Sequence, residues 1–151
     1  MSDERQATAE QPWGRVFSML GKGYLRLLRT KLAHLDIDRH YYALVLIESF
    51  NNRISQQELS LLLGMDKVSV VRVVHYLSEK GYIVRKKSEE DKRKFNLCLT
   101  RKAISALPEI KQAIKELNEL SINGLNNSQK TGLIETVAKL RSNLNDNLTN
   151  I

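Results

Sequence analysis

The sequence has a single cysteine, Cys98, and no long apolar run. One cysteine cannot form an intramolecular disulfide, so a disulfide framework is excluded, which suits a cytoplasmic location. The longest strongly apolar stretch, Tyr41 to Ile47, is far shorter than the roughly 20 residues that a membrane helix needs. The N-terminus has no apolar run behind its charged residues and does not resemble a signal peptide. We therefore expect a cytoplasmic protein.

Motifs for enzyme chemistry are also missing from the sequence. It has no glycine-rich phosphate loop and no Ser/His/Asp spacing typical of nucleophilic catalysis. The three histidines, His34, His40 and His75, do not have the spacing of metal ligands. We expect that the chain is not an enzyme and has neither a cofactor nor a metal site.

Charge of one sign is in excess, and it is concentrated in one segment. The formal net charge is +7, and the pI is near 9.6. The segment from Met65 to Lys102 contains eleven Lys or Arg and five Asp or Glu, which gives a net charge of +6 out of the total of +7. Such a segment is typical of a nucleic-acid-binding surface, although a solvated basic face is the simpler alternative. At 151 residues and 42% hydrophobic residues, one compact domain is expected.

The segment from Ser55 to Gly81 predicts two helices joined by a short turn. Ser55 and Glu58 have the spacing of a capping box, and Gly64 can end the first helix in the left-handed conformation. Asp66 is the predicted N-cap of the second helix, which ends at Gly81. Its apolar residues follow helical spacing: Val70, Val73, Val74 and Leu77. This arrangement is a helix-turn-helix.

A hairpin is predicted directly after the second helix. Residues 82–87 are typical of a strand, residues 88–93 form a polar turn, and from residue 95 onward apolar residues alternate with polar ones. A hairpin in this place is a wing, and Arg53-Ile54 is the predicted third strand of its sheet.

Five runs carry a resemblance to a known family: Gln57-Glu58-Leu59, Val68 to Val74, Leu77 to Arg85, Asp91-Lys92-Arg93 and Leu97 to Thr100. Together they resemble the MarR family of bacterial transcriptional regulators, over most of the chain from Trp13 to Leu148. Ala103 departs from the pattern, since the family usually has glycine there. The resemblance implies a winged helix-turn-helix fold, mainly α with a small antiparallel β wing and terminal dimerisation helices.

Helices are predicted on both sides of the winged segment. A first helix is expected from Trp13 to about Leu35, and a second, buried one is capped by Asp38. After the wing, Thr100 caps a helix to about Asn123, in which Pro108 requires a bend or a late start. One face of this helix carries its large apolar residues: Ile104, Leu107, Ile110, Ile114, Leu117 and Leu120. Asn126 caps the last helix.

The predicted domains are a disordered tail (1–11), a helical dimerisation region (12–35 and 101–151) and a winged DNA-binding region (36–100). The terminal helices have more apolar residues than one winged module can cover. A homodimer is therefore expected, and an added helical layer in a monomer is the alternative.

The candidate DNA-binding residues are Lys67, Val68, Ser69, Arg72, Arg85, Lys92, Arg93 and Lys94. Ser69 can donate to a phosphate or base edge, Val68 can meet a thymine methyl, and Arg72 can bind guanine or a phosphate. Alternatively, Arg72 pairs with Asp91, which is predicted to orient Arg93 or Arg72. Arg93 at the wing tip suits a narrow, negative minor groove.

A small phenolic or other apolar effector is a further expected partner, because many relatives bind one between the dimer helices and the winged module. His40, Tyr41 and Tyr42 are the candidate pocket residues, and plain core packing is the alternative for both tyrosines. Cys98 lies on the polar face of the wing strand, where a role as an oxidant sensor is a minor possibility.

The predicted function is that of a dimeric, sequence-specific regulator of transcription, with repression as the expected direction. Recognition helix 66–80 would read a pseudo-palindromic operator in the major groove of double-stranded DNA, and wing 82–99 would enter the minor groove. The alternative is a winged-helix protein-interaction module that does not bind DNA specifically.

Overall fold

The structure is a computed structural model that describes residues 11–148, with side chains to residue 145. Six helices and three strands form within this range: α1 (Trp13–Lys31), α2 (Tyr41–Ser49), β1 (Ile54–Ser55), α3 (Gln56–Leu63), α4 (Lys67–Glu79), β2 (Ile83–Lys87), β3 (Phe95–Leu99), α5 (Arg101–Ser121) and α6 (Asn127–Leu148). The predicted fold class, mainly α with a small antiparallel sheet, is confirmed. The predicted disordered tail lies outside the described residues except for Gln11.

The helix-turn-helix has the predicted caps. The Ser55 hydroxyl accepts a hydrogen bond from the Glu58 amide at 3.2 Å, and the Glu58 carboxylate accepts one from the Ser55 amide at 2.7 Å. Gly64 ends α3 with φ of 61°, in the left-handed region where glycine is not strained. The Asp66 carboxylate accepts a hydrogen bond from the Ser69 amide at the start of α4. Short-range hydrogen bonds therefore fix the angle at which α4 follows α3.

The sheet has the order β1-β3-β2, and both pairings are antiparallel. Ile54 pairs with Leu97, and both are buried under the helices. The predicted alternation holds at Leu97 but fails at Phe95, which is half-exposed. Phe95 pairs with Lys87 at the outer end of the hairpin, beyond the reach of the core.

Helix α2 lies at the centre of the core. Tyr41, Leu44 and Ile47 on this helix are almost fully buried. The prediction that it is buried nearly all round is wrong at Tyr42 and Phe50, because both side chains are exposed.

The connection between α1 and α2 differs from the prediction. Helix α1 ends at Lys31 rather than Leu35, and His40 rather than Asp38 is the N-cap of α2. Asp38 adopts a positive φ of 56°, and its carboxylate pairs with Arg29 Nε at 3.1 Å. The Asp38 side chain, which the local pattern predicted to cap α2, therefore forms a tertiary ion pair with Arg29 instead.

Helix α5 starts at Arg101, so the predicted late start is wrong, and Pro108 lies exposed inside the helix. The buried face is formed by Ala103, Ala106, Leu107, Ile110, Ala113 and Leu117. On the predicted apolar face, Leu107, Ile110 and Leu117 are buried, whereas Ile104 and Leu120 are exposed. The three buried alanines were not part of that face, and their small side chains permit close packing.

The Thr100 hydroxyl accepts a hydrogen bond from the Ala103 amide, as predicted for a cap, and it also donates to the Gly81 carbonyl at 2.7 Å. At the next junction, Asn126 and Gln129 exchange side-chain to amide hydrogen bonds of 2.9 Å, which confirms Asn126 as the cap of α6.

Two compact units meet between Leu117 and Asn118. In the second unit, α6 exposes a series of large apolar side chains: Leu133, Ile134, Val137, Leu140 and Leu144. None of the described helices combines the length and apolar character that crossing a bilayer requires.

Candidate nucleic-acid interface

Helix α4 has two chemically distinct faces. Its buried face comprises Val70, Val73, Val74 and Leu77, which join the core of the winged region. The opposite face is exposed and comprises Lys67, Val68, Val71, Arg72 and His75. The core thus fixes the orientation of the helix, while a mixed apolar and cationic surface is left for a ligand.

The first turn of α4 differs from the prediction in one respect. The Ser69 hydroxyl donates to the Asp66 carboxylate at 2.6 Å, so its hydrogen is already used inside the cap. Hydrogen bonds from the Ser69 hydroxyl and amide lower the pKa of Asp66. The predicted role of Ser69 as a donor to DNA therefore conflicts with the cap, and its hydroxyl retains only acceptor capacity.

The wing tip is shaped by Ser88 and Asp91. The buried Ser88 hydroxyl accepts from the amides of Glu90 and Asp91, both at 3.3 Å. The Asp91 carboxylate accepts from the Arg93 amide at 3.0 Å and lies 3.6 Å from Arg93 Nε. The Arg93 side chain is nevertheless 95% exposed. A hydrogen-bonded turn thus presents a cation to solvent.

Asp91 contacts Arg93 and not Arg72. In the described part of the chain, no acidic side chain forms an ion pair with Arg72. Of the two partners predicted for Asp91, the structure brings only Arg93 close to it. The guanidinium of Arg72 is free of the proposed internal ion pair.

The base of the wing is tied to the start of α3. Arg85 on β2 donates a hydrogen bond to the Gln56 side chain. Hydrogen bonds from Ser55 lower the pKa of Glu58, and the charge of Lys94 nearby adds to this effect. Lys92 and Lys94 are exposed beside the tip. The predicted wing residues thus share one hairpin, although Arg85 is partly engaged within the fold.

Sequence reasoning did not find Val71 and Gln56. Val71 could have been found, since Val70, Val73, Val74 and Leu77 fill the core-facing positions and leave it on the outer face. Gln56 gave no signal, because its contact with Arg85 joins residues 29 apart in the sequence.

The C-terminal end of α4 is tied to the α1–α2 connection and to α5. Lys80 Nζ lies 2.6 Å from the Asp36 carboxylate, and the Tyr76 ring packs edge-on against His40, with 5.4 Å between ring centroids. Lys102 Nζ donates to the Lys80 carbonyl at 2.8 Å. Any shift of the α1–α2 connection would therefore act on α4.

An open cleft of about 1000 Å³ lies beside these contacts. Tyr41 and Tyr76 line it together with two carboxylates and four cations: Asp36, Asp38, Lys22, Arg26, Arg29 and Arg39. Asp38 pairs with Arg29. Of the three predicted pocket residues only Tyr41 lines the cleft, while His40 faces Tyr76 and Tyr42 is exposed elsewhere on α2. Tyr41 is almost fully buried, and burial raises the pKa of its hydroxyl.

Cys98 is half-buried on β3 opposite Val84. Its sulfur lies 3.6 Å from the Asn52 carbonyl, and the Asn52 side chain accepts a hydrogen bond from the Leu99 amide. These contacts join the wing to the left-handed turn after α2.

The class of protein follows from these observations. Two capped helices, a three-stranded sheet and a protruding basic hairpin define a winged helix-turn-helix, in which an exposed helix face and the wing tip both carry cations.

Comparison with known proteins agrees with this class. A model of the MarR family matches residues 37–94. A putative transcriptional regulatory protein for the hcr operon of Thauera aromatica is 31% identical over 99 residues, and the match covers 66% of this chain and 60% of that protein. The chain therefore spans less than two thirds of that relative.

Solved structures match over most of the chain. The crystal structure of the transcriptional regulator SlyA has a TM-score of 0.82 at 22% identity, covering 91% of this chain and 96% of that one. A mutant MarR from E. coli in complex with operator DNA has a TM-score of 0.75 at 25% identity, covering 85% and 93%. The S. aureus MepR–DNA complex has a TM-score of 0.81 at 18% identity, covering 88% and 96%. The chain is therefore similar to the MarR family, in sequence over residues 37–94 and in fold over most of its length.

Proposed function

We propose that this chain is a homodimeric, sequence-specific DNA-binding regulator of transcription that acts as a repressor. The proposal rests on two features that occur together. Helix α4 is anchored in the core and exposes a face of apolar and cationic side chains, and the wing tip exposes Arg93, which Asp91 contacts. Both are the parts with which winged helices bind duplex DNA.

In this proposal α4 and its caps, residues 66–80, enter the major groove. Arg72 is the candidate for a bidentate contact to guanine, because it is exposed and lacks an internal acidic partner among the described residues. Lys67 at the start of the helix supplies a phosphate contact. The pairing of Lys80 with Asp36 holds the far end of the helix.

The wing, residues 82–99, enters the minor groove at its tip. Arg93 is the candidate groove residue, and Lys92 and Lys94 flank it for phosphate contacts. Arg85 supports the hairpin through its hydrogen bond to Gln56, and its other guanidinium N–H groups contact DNA.

Dimerisation is supported by the exposed apolar side chains of the terminal helices. Helix α1 exposes Trp13, Phe17 and Leu20, and α6 exposes the series beginning at Leu133. Exposed apolar surface of this extent is typical of a partner interface. A two-fold dimer would place two recognition helices about 34–36 Å apart, matching a pseudo-palindromic operator.

The cleft supports release by a small effector. Two tyrosines and an excess of two cations, four against the carboxylates of Asp36 and Asp38, favour an aromatic anion, such as a phenolic acid. Tyr76 belongs to α4, so a ligand in the cleft would contact the reading helix directly. A ligand that prefers one position of α4 would shift the population away from the DNA-matched state.

A salt titration of duplex binding tests the proposal. If the dimer contacts about eight phosphates, the logarithm of affinity should fall with the logarithm of salt concentration with a slope near −7. Fluorescence anisotropy with a duplex selected from a random library measures this slope. Absence of any salt-dependent duplex binding would refute the proposal and favour the winged-helix protein-interaction module.

A further inference from the structure

Two valines on α4 lie outside the hydrophobic core. Val68 is 62% exposed and Val71 is 44% exposed, while Val70, Val73 and Val74 fill the core. Valine is also a poor residue for an exposed helix position, because its branched side chain loses rotamer freedom there. Neither packing nor helix propensity therefore accounts for this pair.

The surroundings of the pair limit what its ligand is. Val68 and Val71 are one turn apart on one face, and Arg72 is four residues after Val68 on the same face. Lys67 precedes the pair, and the wing adds the exposed cation of Arg93. A ligand for this surface must combine negative charge with small apolar groups at fixed places.

The major groove of DNA offers that combination. Thymine is the base whose groove edge carries a methyl group, and apolar side chains contact it. Residues three apart rise about 4.5 Å along a helix, and base pairs are spaced about 3.4 Å apart. The two valines are therefore close enough together to contact the methyl groups of neighbouring base pairs.

We infer that Val68 and Val71 form a paired apolar reader that selects thymine at two neighbouring base pairs in each half-site, beside the base pair bound by Arg72. The inference rests on the proposed DNA-binding function and specifies the sequence that it reads. The half-site should contain two thymines at neighbouring base pairs, next to a base pair with guanine.

Deoxyuridine tests the inference, because it differs from thymidine only by the missing methyl. The full-length protein first selects a duplex from a random library, and the two thymines of each half-site are then replaced singly by deoxyuridine. Each replacement should weaken binding about fourfold, the amount expected for one buried methyl group. Val68→Ala should abolish the discrimination at one position and Val71→Ala at the other.

Val84→Ala is the matched control, since Val84 is also an exposed valine but lies on the wing strand β2. The Val84→Ala protein should keep the fourfold preference for thymidine over deoxyuridine at both positions, even if its overall affinity for DNA changes. Circular dichroism checks that all three variants are folded. Selected sites without the thymine pair, equal affinity for the deoxyuridine duplexes, or discrimination unchanged in both α4 variants would overturn the inference but leave salt-dependent DNA binding intact. Failure to select any duplex would overturn both.

Discussion

Arg72 and Arg93 are both exposed cations, but their surroundings differ. Arg72 extends from a rigid helix whose opposite face is buried, so its guanidinium reaches a defined place. Arg93 extends from a turn and is held by Asp91 through its amide and Nε. The first arrangement suits a directional contact to one base, and the second suits a charge placed in a groove.

Arg93→Ala should weaken binding to specific and non-specific duplexes alike. Minor-groove width depends little on the bases exposed in the major groove, and the loss should be largest where A·T-rich flanks narrow the groove. Anisotropy titrations on the operator, a flank-swapped duplex and a scrambled duplex measure the effect. Wild-type affinity on all three would mean that the wing is only a solvated hairpin.

Arg72→Ala should cost ~1–3 kcal/mol on the operator and relax preference at one position of each half-site. The same three duplexes distinguish this from a structural effect, because loss of an internal ion pair would weaken binding without changing preference. Arg72→Lys is an informative partner variant, since lysine keeps the charge but cannot form the bidentate contact. An unchanged base preference in both variants would remove the base-reading role.

His40 makes stability depend on pH. Burial against Tyr76 lowers its pKa below the ordinary value of 6.5, while Asp38 opposes this effect and Arg39 adds to it. Below pH 6.5 the unfolded chain therefore binds more protons than the folded one, and the free energy of unfolding falls. Urea melts at pH 7 and pH 5 should show a smaller fall in the free energy of unfolding for His40→Gln than for the wild type. His75→Gln controls for removal of an exposed histidine, and an equal fall in all three proteins would contradict the prediction.

At the scale of single elements, the helix ends hold the winged region in register. The mutual hydrogen bonds of Ser55 and Glu58 fix the start of α3, and those of Asp66 and Ser69 fix the start of α4. Thr100 ties the start of α5 to Gly81, where α4 gives way to the wing. The hydrogen bonds at the starts of α3 and α4 join residues three apart in the sequence. The bond from Thr100 to Gly81 joins the two ends of the wing.

Ser55→Ala should destabilise the protein by about 1 kcal/mol, since the Glu58 amide loses its acceptor at the N-cap. Denaturant melts followed by circular dichroism measure the change. Ser105→Ala is the control, because Ser105 is exposed inside α5, where alanine is the better helix former. Equal stabilities of the wild type and Ser55→Ala would show that the capping box does not contribute.

Features set by local chemistry were predictable from the sequence, while those set by distant contacts were not. Ser55, Gly64 and Asp66 act within one turn of chain, and their roles were predicted. Asp38 was assigned to a cap, but its pairing with Arg29 could be known only from the fold.

The distinction between local and distant contacts also applies to the helix faces and to part of the candidate site. The buried alanines of α5 depend on how closely another element approaches, and periodicity alone favoured the larger Ile104. The basic residues of α4 and the wing were found from charge and spacing. The hydrogen bond of Arg85 to Gln56, which joins residues 29 apart, was not predicted. The bond of the Ser69 hydroxyl to Asp66 is local but was also missed, because Asp66 was predicted only as an N-cap and Ser69 only as a contact to DNA.

For the whole molecule, cationic and exposed apolar side chains occur together on several elements. The segment from Met65 to Lys102 carries a net charge of +6, and α1 carries five cations and no acid beside its exposed Trp13, Phe17 and Leu20. Helix α6 exposes a further apolar series from Leu133 to Leu144. A charged surface favours binding to a polyanion, and an apolar one favours burial against another protein surface. We propose that the apolar terminal helices bind a second copy and that the cationic winged region binds DNA.

Ile134→Glu should dissociate the proposed dimer without unfolding the chain. Ile134 is 71% exposed on α6, so glutamate costs little in a monomer but places a charge inside an apolar interface. Light scattering should give twice 17.3 kDa for the wild type and 17.3 kDa for the variant. Leu61→Glu is the matched control, because Leu61 is 76% exposed but lies on α3, outside the terminal helices, and this variant should remain dimeric.

The same pair of variants connects assembly with DNA reading. A dimer engages both half-sites at once, so its affinity depends on their spacing, whereas a monomer binds each half-site independently. Inserting five base pairs, about half a helical turn, between the half-sites should weaken wild-type and Leu61→Glu binding but leave Ile134→Glu binding unchanged. A monomeric wild type, or dissociation by both substitutions, would contradict the assignment of the apolar terminal helices to a dimer interface. Spacing-dependent binding by a monomeric Ile134→Glu protein would show instead that the second copy is recruited by DNA through another surface.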